Sequence, residues 1–256
     1  MQKNKTINLT LPLTLLFVFS SLITAKNIFS QAALGVSAIP PRLEVSVKPG
    51  EVITKEIKVR NESQSERFLS TDIRDFIVTN DNGTPVQIDS NKESDNRWAA
   101  SGWVQVSPSQ FKLKGGETKS LVVTIMVPSN AIPGGHYSMI LHSPQLEDIS
   151  NKNGSSIKTN VGTLVYITVP GNIKQDAKVK EFIGPSFAEY GPIDFKSVIE
   201  NLSDIHITPS GAVVITNMLG GKTAQLALDE TNIFPYTSRT FQNQLAKKWL
   251  FGRYKA

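Results

Sequence analysis

Val47-Lys48-Pro49-Gly50-Glu51 and Leu113-Lys114-Gly115-Gly116-Glu117 are two copies of one short turn, and an apolar strand pattern follows each copy. Pro presets φ and Gly tolerates positive φ, so each copy predicts a place where an extended chain folds back. Over residues 121–127, after the second copy, every second side chain is large and apolar, which is the period of a strand with one buried face. Turn–strand units repeated in this way predict an all-β sandwich.

The strand patterns around these turns predict an immunoglobulin-like sandwich over residues 36–171. About seven strands are expected, the number typical of such a sandwich, and the last of them covers Val161–Val169. Tyr137 follows Gly134-Gly135 and begins a late strand, where these sandwiches carry a structural tyrosine known as the tyrosine corner. We therefore predict a structural role for Tyr137.

Residues 172–256 repeat this plan and predict a second immunoglobulin-like sandwich. A strand ends in Val198-Ile199-Glu200-Asn201, as an earlier strand ends in Val59-Arg60-Asn61. Phe251-Gly252-Arg253-Tyr254 then matches the residues around Tyr137, so Tyr254 is predicted to have the same structural role. The sequence stops soon afterwards, and by analogy with the first sandwich we expect the second to lack its last strand.

The composition argues against several classes of function. Lysine and arginine total 27 against 22 aspartate and glutamate, and Lys3 and Lys5 lie in the amino-terminal segment. The remainder carries 27 − 2 = 25 basic and 22 acidic groups, an excess that is too small and too scattered for nucleic-acid binding. The chain has no cysteine, which excludes disulfides, thiolate nucleophiles and cysteine-ligated metals.

Residues 1–32 have the pattern of an export signal. Lys3 and Lys5 form a positive start, residues 9–25 are largely apolar, and cleavage is expected after Ala25 or Ala32. An uncleaved anchor is the alternative, since the twenty residues between Lys5 and Lys26 are about the number that spans a bilayer. In both cases the rest of the chain is predicted to be exported, to the periplasm or the cell surface.

No catalytic or metal-binding pattern accompanies these strands in the sequence. The three histidines fall on predicted strands or turns, and the chain has neither Gly-x-Ser-x-Gly nor His-Glu-x-x-His. We therefore predict a protein without enzymatic activity, catalytic residues, metal or other cofactor. Asn61-Glu62-Ser63 and Asn201-Leu202-Ser203 match the glycosylation sequon, and we interpret both as strand ends at which Asn caps a turn.

Part of the chain resembles the amino-terminal domain of periplasmic pilus-assembly chaperones, the PapD-like proteins. The resemblance covers roughly residues 38–170, and it is carried by Ile39-Pro40-Pro41-Arg42, the strand that ends at Asn61, Val106–Pro128 and Leu164-Val165-Tyr166. It extends to a looser set of bacterial envelope proteins that have two such sandwiches.

The resemblance implies a clamp for the terminal carboxylate of a pilin. In these chaperones an Arg on the first strand and a Lys on the last strand hold that carboxylate. Arg42 occupies the Arg position, whereas Thr163 stands where the Lys is expected. Arg42 is thus either a partner-binding residue or an exposed strand residue.

Two functions remain open. The first is a non-enzymatic envelope protein used for protein binding, adhesion or surface scaffolding. It would have an unidentified protein or envelope component as partner, and it would contact the membrane through the amino-terminal segment or a missing carboxy-terminal helix. The alternative is a periplasmic assembly chaperone that acts by donor-strand complementation, because sheet edges offer unpaired backbone groups to a partner. Neither function involves nucleic acid.

Overall fold

Sixteen β-strands and one 3₁₀ helix, Ser101–Trp103, make up the regular structure of the described residues, which are 35–88, 96–145 and 160–256 of this computed structural model. The predicted export segment, residues 1–32, lies outside them. In the part of the chain that the structure describes, no helix has the length and apolar character needed to cross a membrane. The strands are β1 (Val36–Ile39), β2 (Arg42–Ser46), β3 (Val52–Asn61), β4 (Arg67–Val78), β5 (Pro85–Gln87), β6 (Val104–Ser107), β7 (Gln110–Leu113), β8 (Thr118–Met126), β9 (Gly134–Pro144), β10 (Val161–Val169), β11 (Ala177–Ile183), β12 (Ile193–Asn201), β13 (Ala212–Asn217), β14 (Lys222–Ala227), β15 (Ser238–Leu245) and β16 (Tyr254–Lys255).

Strands β1–β10 form two sheets with a shared core. One sheet has the order β1-β3-β8-β6, and the other has the order β2-β10-β9-β4-β5, with β7 also pairing with β4. On β8 the alternation is as predicted, since Leu121, Val123 and Ile125 are buried in the core and Val122 is exposed. The prediction of an all-β, immunoglobulin-like fold is confirmed, and β10 has the predicted limits.

The glutamate of the repeated turn has the same contact in both copies. In the first copy the backbone N–H of Lys48 donates to Oε2 of Glu51 at 3.1 Å. In the second copy the N–H of Lys114 donates to Oε2 of Glu117 at 2.7 Å. Each carboxylate therefore satisfies the backbone donor at the start of its own turn, which accounts for the glutamate at the end of both copies.

The two turns close opposite ends of the antiparallel pair β3–β8. The N–H of Gly50 donates to the carbonyl of Val127 at 3.0 Å, and the N–H of Gly116 donates to the carbonyl of Asn61 at 2.9 Å. The two glycines have φ of +80° and +74°, a conformation that glycine adopts readily and other residues do not. The pair thus has an approximate two-fold symmetry, and each turn is fastened to the end of the other strand.

Asn61 ends β3 with a fully buried side chain. Its Nδ2 donates to the carbonyls of Ser65, Leu113 and Lys114 at 2.7–3.1 Å, and its Oδ1 accepts the N–H of Ser63 at 3.0 Å. One amide therefore satisfies four backbone groups that belong to two segments of the chain. This contact supports the interpretation of the asparagine as a turn cap.

Asn201 repeats this arrangement at the end of β12. Its Nδ2 donates to the carbonyls of Ile205 and Ile233 at 2.8 and 2.9 Å, and its Oδ1 accepts the N–H of Ser203 at 2.8 Å. In both motifs the serine two residues after the asparagine supplies the N–H that the side chain binds. The sequon pattern is thus part of the turn, and the asparagine amides are buried inside the sandwiches.

Replacing Asn61 by alanine is expected to lower the free energy of unfolding by about 3 kcal/mol, because one buried and two partly buried carbonyls lose their donor. Urea unfolding followed by circular dichroism measures this loss. Asn217→Ala is the matched control: Oδ1 of Asn217 accepts two N–H groups in a solvent-accessible hairpin, so the loss there should not exceed about 1 kcal/mol. Equal losses in the two variants would contradict the role assigned to Asn61.

Strands β11–β16 form a second pair of sheets, with the orders β11-β12-β15 and β14-β13-β16. β12 ends at Asn201, as predicted from the sequence. Tyr254 pairs with Asn217 across β16 and β13 and packs, half-buried, against an apolar cluster. The buried members of the two clusters between these sheets are Ile193, Phe195, Val213, Ile215 and Leu245, and Ile199, Ile233 and Phe241. The predicted division at residues 171 and 172 falls between β10 and β11.

Three strands differ from the sequence prediction. All seven residues of β11 are exposed, so no buried face marks it in the sequence. β15 is mostly polar and lacks regular apolar alternation. The chain also forms a strand on each side of Pro40-Pro41, and the sequence analysis did not separate them: β1 pairs with β3, and β2 pairs with β10 in the other sheet. Proline has no N–H to donate to a ladder, so the two prolines favour this division.

Candidate functional site

Aromatic side chains join the two sandwiches at what we call the aromatic junction: Phe76, Tyr137, Tyr166 and Phe234. The first three lie on β4, β9 and β10, and Phe234 belongs to the second sandwich. The ring centroid of Phe234 lies 5.0–5.4 Å from each of the other three, with interplanar angles of 77–86°. Such edge-to-face contacts add to the stability that burial provides. All described residues accordingly belong to one compact unit.

Tyr137 connects the aromatic junction to His206. Its hydroxyl oxygen accepts the backbone N–H of His206 at 2.8 Å and lies 3.2 Å from Nδ1 of the same histidine. Burial raises the pKa of the Tyr137 hydroxyl far above its usual value, so the group stays protonated and is able to donate to Nδ1. The structure thus places this side chain, for which the sequence predicts a structural role, against the second sandwich.

A carboxylate lies between two basic side chains beside this junction. Nε of Arg42 is 3.3 Å from Oε1 of Glu44, and the same oxygen is 3.4 Å from Nε2 of His206. The guanidinium of Arg42 also lies over the ring of Tyr166, 5.7 Å from its centroid. Arg42 and Glu44 are two residues apart on β2 and so project from the same face of the sheet. We call this arrangement of Arg42, Glu44 and His206 the carboxylate site.

The surroundings of His206 favour its neutral form. Burial lowers its pKa, while the carboxylate of Glu44 acts in the opposite direction and the charge of Arg42 acts in the same direction as burial. With Nδ1 accepting from Tyr137, the proton lies on Nε2, which then donates toward the carboxylate. The carboxylate of Glu44 therefore lies beside the positive charge of Arg42 and the ring N–H of His206.

Thr163 lies next to this site and makes a different contact. It is buried on β10, one residue before Leu164, which pairs with Arg42. Its hydroxyl donates to the carbonyl of Pro40 at 2.8 Å and so ties β10 to the segment between β1 and β2. Thr163 thus fastens two strands together and brings no charge to the carboxylate site.

β2 is an edge strand, and no described strand pairs with its outer side. The N–H of Leu164 donates to the carbonyl of Pro41, and the N–H of Val47 donates to the carbonyl of Thr168. In a parallel ladder the backbone groups of every second residue bond to the same neighbouring strand. The backbone groups of the odd-numbered residues in 41–47 therefore face β10. The backbone groups of the even-numbered residues face away from β10 and pair with no other described strand. These residues are Arg42, Glu44 and Ser46.

The other two histidines lie inside the first sandwich. Nε2 of His136 is 2.8 Å from the carbonyl of Ile132, and Nδ1 of His142 is 2.9 Å from Oγ1 of Thr71. Burial lowers the pKa of both, that of His142 to about 4. Within residues 35–88, 96–145 and 160–256, no three His, Cys, Asp or Glu side chains form a cluster that could hold a metal ion.

The sequence pointed to part of this site. Arg42 and Tyr137 were singled out, whereas Glu44, His206 and the aromatic partners of Tyr137 were not. Glu44 could have been found, because it alternates with Arg42 on a strand and therefore shares its face. His206 carries no local signal, since it meets Tyr137 across 69 residues of sequence. Tyr254 lies on β16 and takes no part in the site.

Neither a protein-family model nor a curated protein matches the sequence. Among solved structures, the chain is similar to the class 5 fimbriae chaperone CfaA, with a TM-score of 0.45 and 15% identity, covering 79% of this chain and 83% of that one. It is similar to the E. coli chaperone DraB, with a TM-score of 0.40 and 12% identity, covering 80% and 83%. It is also similar to PapD-like domain 7 of human CEP192, with a TM-score of 0.35 and 12% identity, covering 57% and 92%. Two of these structures are chaperones, and the third is a PapD-like domain.

Proposed function

We propose that this chain is a non-enzymatic, exported protein that binds another protein by pairing with one of its strands along β2. The observation that carries the proposal is the row of outward-facing backbone groups on this strand. Unpaired N–H and C=O groups at a sheet edge are a template for a further strand. Export through residues 1–32 and the division into sandwiches at 36–171 and 172–256 are parts of the same proposal.

The side chains on β2 favour a specific partner over indiscriminate pairing. Arg42 and Glu44 are exposed and charged, and charges on an edge strand oppose edge-to-edge aggregation. The same two residues lie at the carboxylate site with His206. A partner strand that brought its own carboxylate to Arg42 would therefore compete with Glu44. In this proposal, pairing of the backbone groups provides the affinity, and the partner's carboxylate at Arg42 sets the register of the partner strand along β2.

Two biological roles use this mode of binding: surface scaffolding or adhesion in the cell envelope, and periplasmic assembly chaperoning by donor-strand complementation. The position of Arg42 favours the chaperone role, because a cation beside an edge strand is what a terminal carboxylate needs. Thr163 has no charge to add, and His206 offers Nε2 to the same carboxylate oxygen as Arg42 does. The clamp proposed for this chain therefore consists of Arg42 and His206.

Ser46→Pro is expected to weaken peptide binding at least about tenfold, because proline removes an outward-facing N–H and its ring blocks the edge. The ladder to β10 uses the neighbouring odd-numbered residues, so the sheet itself is retained. The probes are two fluorescent peptides of alternating valine and threonine, one with a free carboxyl terminus and one amidated, measured by fluorescence anisotropy. Ser46→Ala is the matched control. Equal binding by both variants would contradict strand addition.

The same peptides separate the role of Arg42 from that of the edge. Arg42→Ala should weaken binding of the free-acid peptide and leave binding of the amidated peptide unchanged, because only the free acid offers a carboxylate to the guanidinium. Equal weakening for both peptides would show that Arg42 does not bind the carboxylate, and it would not contradict strand addition at β2.

A further inference from the structure

One end of the second sandwich exposes large apolar side chains. Three segments meet there, residues 184–192, 217–222 and 246–255, and we call their surface the apolar tip. The exposed fractions of Leu219, Phe251 and Phe187 are 90%, 83% and 80%. Further exposed side chains in these segments are Tyr190, Met218 and Trp249. Side chains of this size in one exposed patch mark an interaction surface.

Contacts between the three segments show that they form one surface. Asn217, at the start of the hairpin, pairs with Tyr254 of the last segment. The N–H of Gly191 donates to the carbonyl of Lys248 at 2.9 Å, which joins the first segment to the last. The aromatic side chains Phe187, Tyr190 and Phe251 line one groove. The apolar side chains therefore project from neighbouring loops at the same end of the sandwich.

The apolar tip is also strongly basic. Its three segments contain one acidic residue, Glu189, and five basic residues, a local charge of +4 (5 − 1) in a chain whose total is +5. Two of the lysines directly precede Trp249 in the sequence, and Nζ of Lys248 lies 5.6 Å from the centroid of its ring. The basic residues are Lys222, Lys247, Lys248, Arg253 and Lys255.

We propose that the apolar tip docks on an anionic lipid surface and inserts Leu219, Trp249 and Phe251 at the level of the headgroups. Tryptophan and tyrosine favour the membrane–water interface. Basic side chains beside them gain attraction to anionic lipids, and an apolar face ringed by lysine and arginine is the usual composition of an interfacial anchor. This contact is independent of the β2 edge and of the strand-binding role.

The position of the lysines favours lipid over a protein partner. The buried centre of a protein–protein interface is depleted of lysine, because a desolvated ammonium group needs a partner. At the apolar tip, the ammonium group of Lys248 lies beside the ring of the exposed Trp249. Lipid headgroups offer many phosphates and leave the ammonium groups hydrated, so this mixture of side chains suits a lipid surface.

Vesicle binding by the full chain tests the proposal. At about 0.1 M salt, we expect at least about tenfold tighter binding to phosphatidylcholine vesicles that contain phosphatidylglycerol than to vesicles of phosphatidylcholine alone. Changing Lys247 and Lys248 to glutamate should remove most of this preference. The matched control changes Lys55 and Lys58, exposed on β3, to glutamate and should retain it. Equal loss in the two double variants would overturn the assignment.

Trp249 itself reports whether the tip enters the lipid, whatever the amino-terminal segment contributes to affinity. Brominated lipids should quench its fluorescence, and Trp249→Phe should remove that quenching while Trp98 and Trp103 remain. Absence of quenching at Trp249 would overturn the proposal. Self-association without lipid that is lost when Trp249 and Phe251 are changed to serine would also overturn it and assign the surface to a second copy of the chain.

Discussion

Phe234→Ala is expected to lower the free energy of unfolding by about 4 kcal/mol, the usual cost of emptying a buried phenylalanine site. Phe234 is buried, and its ring contacts Phe76, Tyr137 and Tyr166 edge-to-face. These contacts span the boundary between the sandwiches, so the variant should lose coupling as well as stability. The second sandwich should then unfold at a lower urea concentration than the first.

Tryptophan fluorescence separates the two transitions. Trp103 lies in the first sandwich, Trp98 lies where that sandwich contacts Tyr236, and Trp249 lies in the second sandwich, so Trp249→Phe in the same background removes the signal of the second sandwich away from the junction. Phe187→Ala is the matched control, because its ring is exposed and its loss should cost no more than about 0.5 kcal/mol. A single unshifted transition in Phe234→Ala would contradict the role of the aromatic junction.

Acidification from pH 7 to pH 5 is expected to lower the free energy of unfolding by about 2 kcal/mol through His142 alone. Burial lowers the pKa of this side chain from 6.5 to about 4. Below pH 6.5 the unfolded chain binds a proton that the folded chain excludes, so stability is full above that pH and is lost as the pH falls toward 4. Burial lowers the pKa of His136 and His206 as well, and their effects have the same sign.

Urea unfolding at several pH values between 7 and 5, above the range where most carboxylates titrate, measures this dependence. His142→Gln should reduce the slope of stability against pH, whatever its effect on stability at pH 7. An NMR titration of the imidazole ring locates the pKa directly. A stability that rises on acidification, or a slope unchanged by His142→Gln, would contradict this account.

The sequence predicts those strands whose two faces differ. β8 buries alternate side chains in its second half, and β10 and β12 each bury more than half of theirs. The turns before β3 and β8 were also predicted, because glycine at positive φ is a local requirement. The hydrogen bond between each turn and its glutamate carboxylate was not predicted. It depends on how far the glutamate side chain reaches back to the start of the turn, and the identity of the turn residues does not give that distance.

The remaining features depend on contacts between distant residues. β11 is exposed on both faces, and an edge strand of this kind has no period of burial for a pattern to detect. The family resemblance points to Arg42, yet His206, which contacts the same oxygen of Glu44, follows 164 residues later and lies on the second sandwich. Which backbone groups of β2 face outward depends on its register with β10, and no property of β2 alone sets that register.

The turns fastened at both ends of β3–β8 also limit how the molecule can misfold. Sliding one strand past the other by one residue would move every apolar side chain to the wrong face. The same shift would break the hydrogen bond of Gly50 to Val127 and that of Gly116 to Asn61, so a shifted register would lose the turn contacts at both ends of the strand pair. The central strand pair of this sheet therefore has one alignment that satisfies both turns.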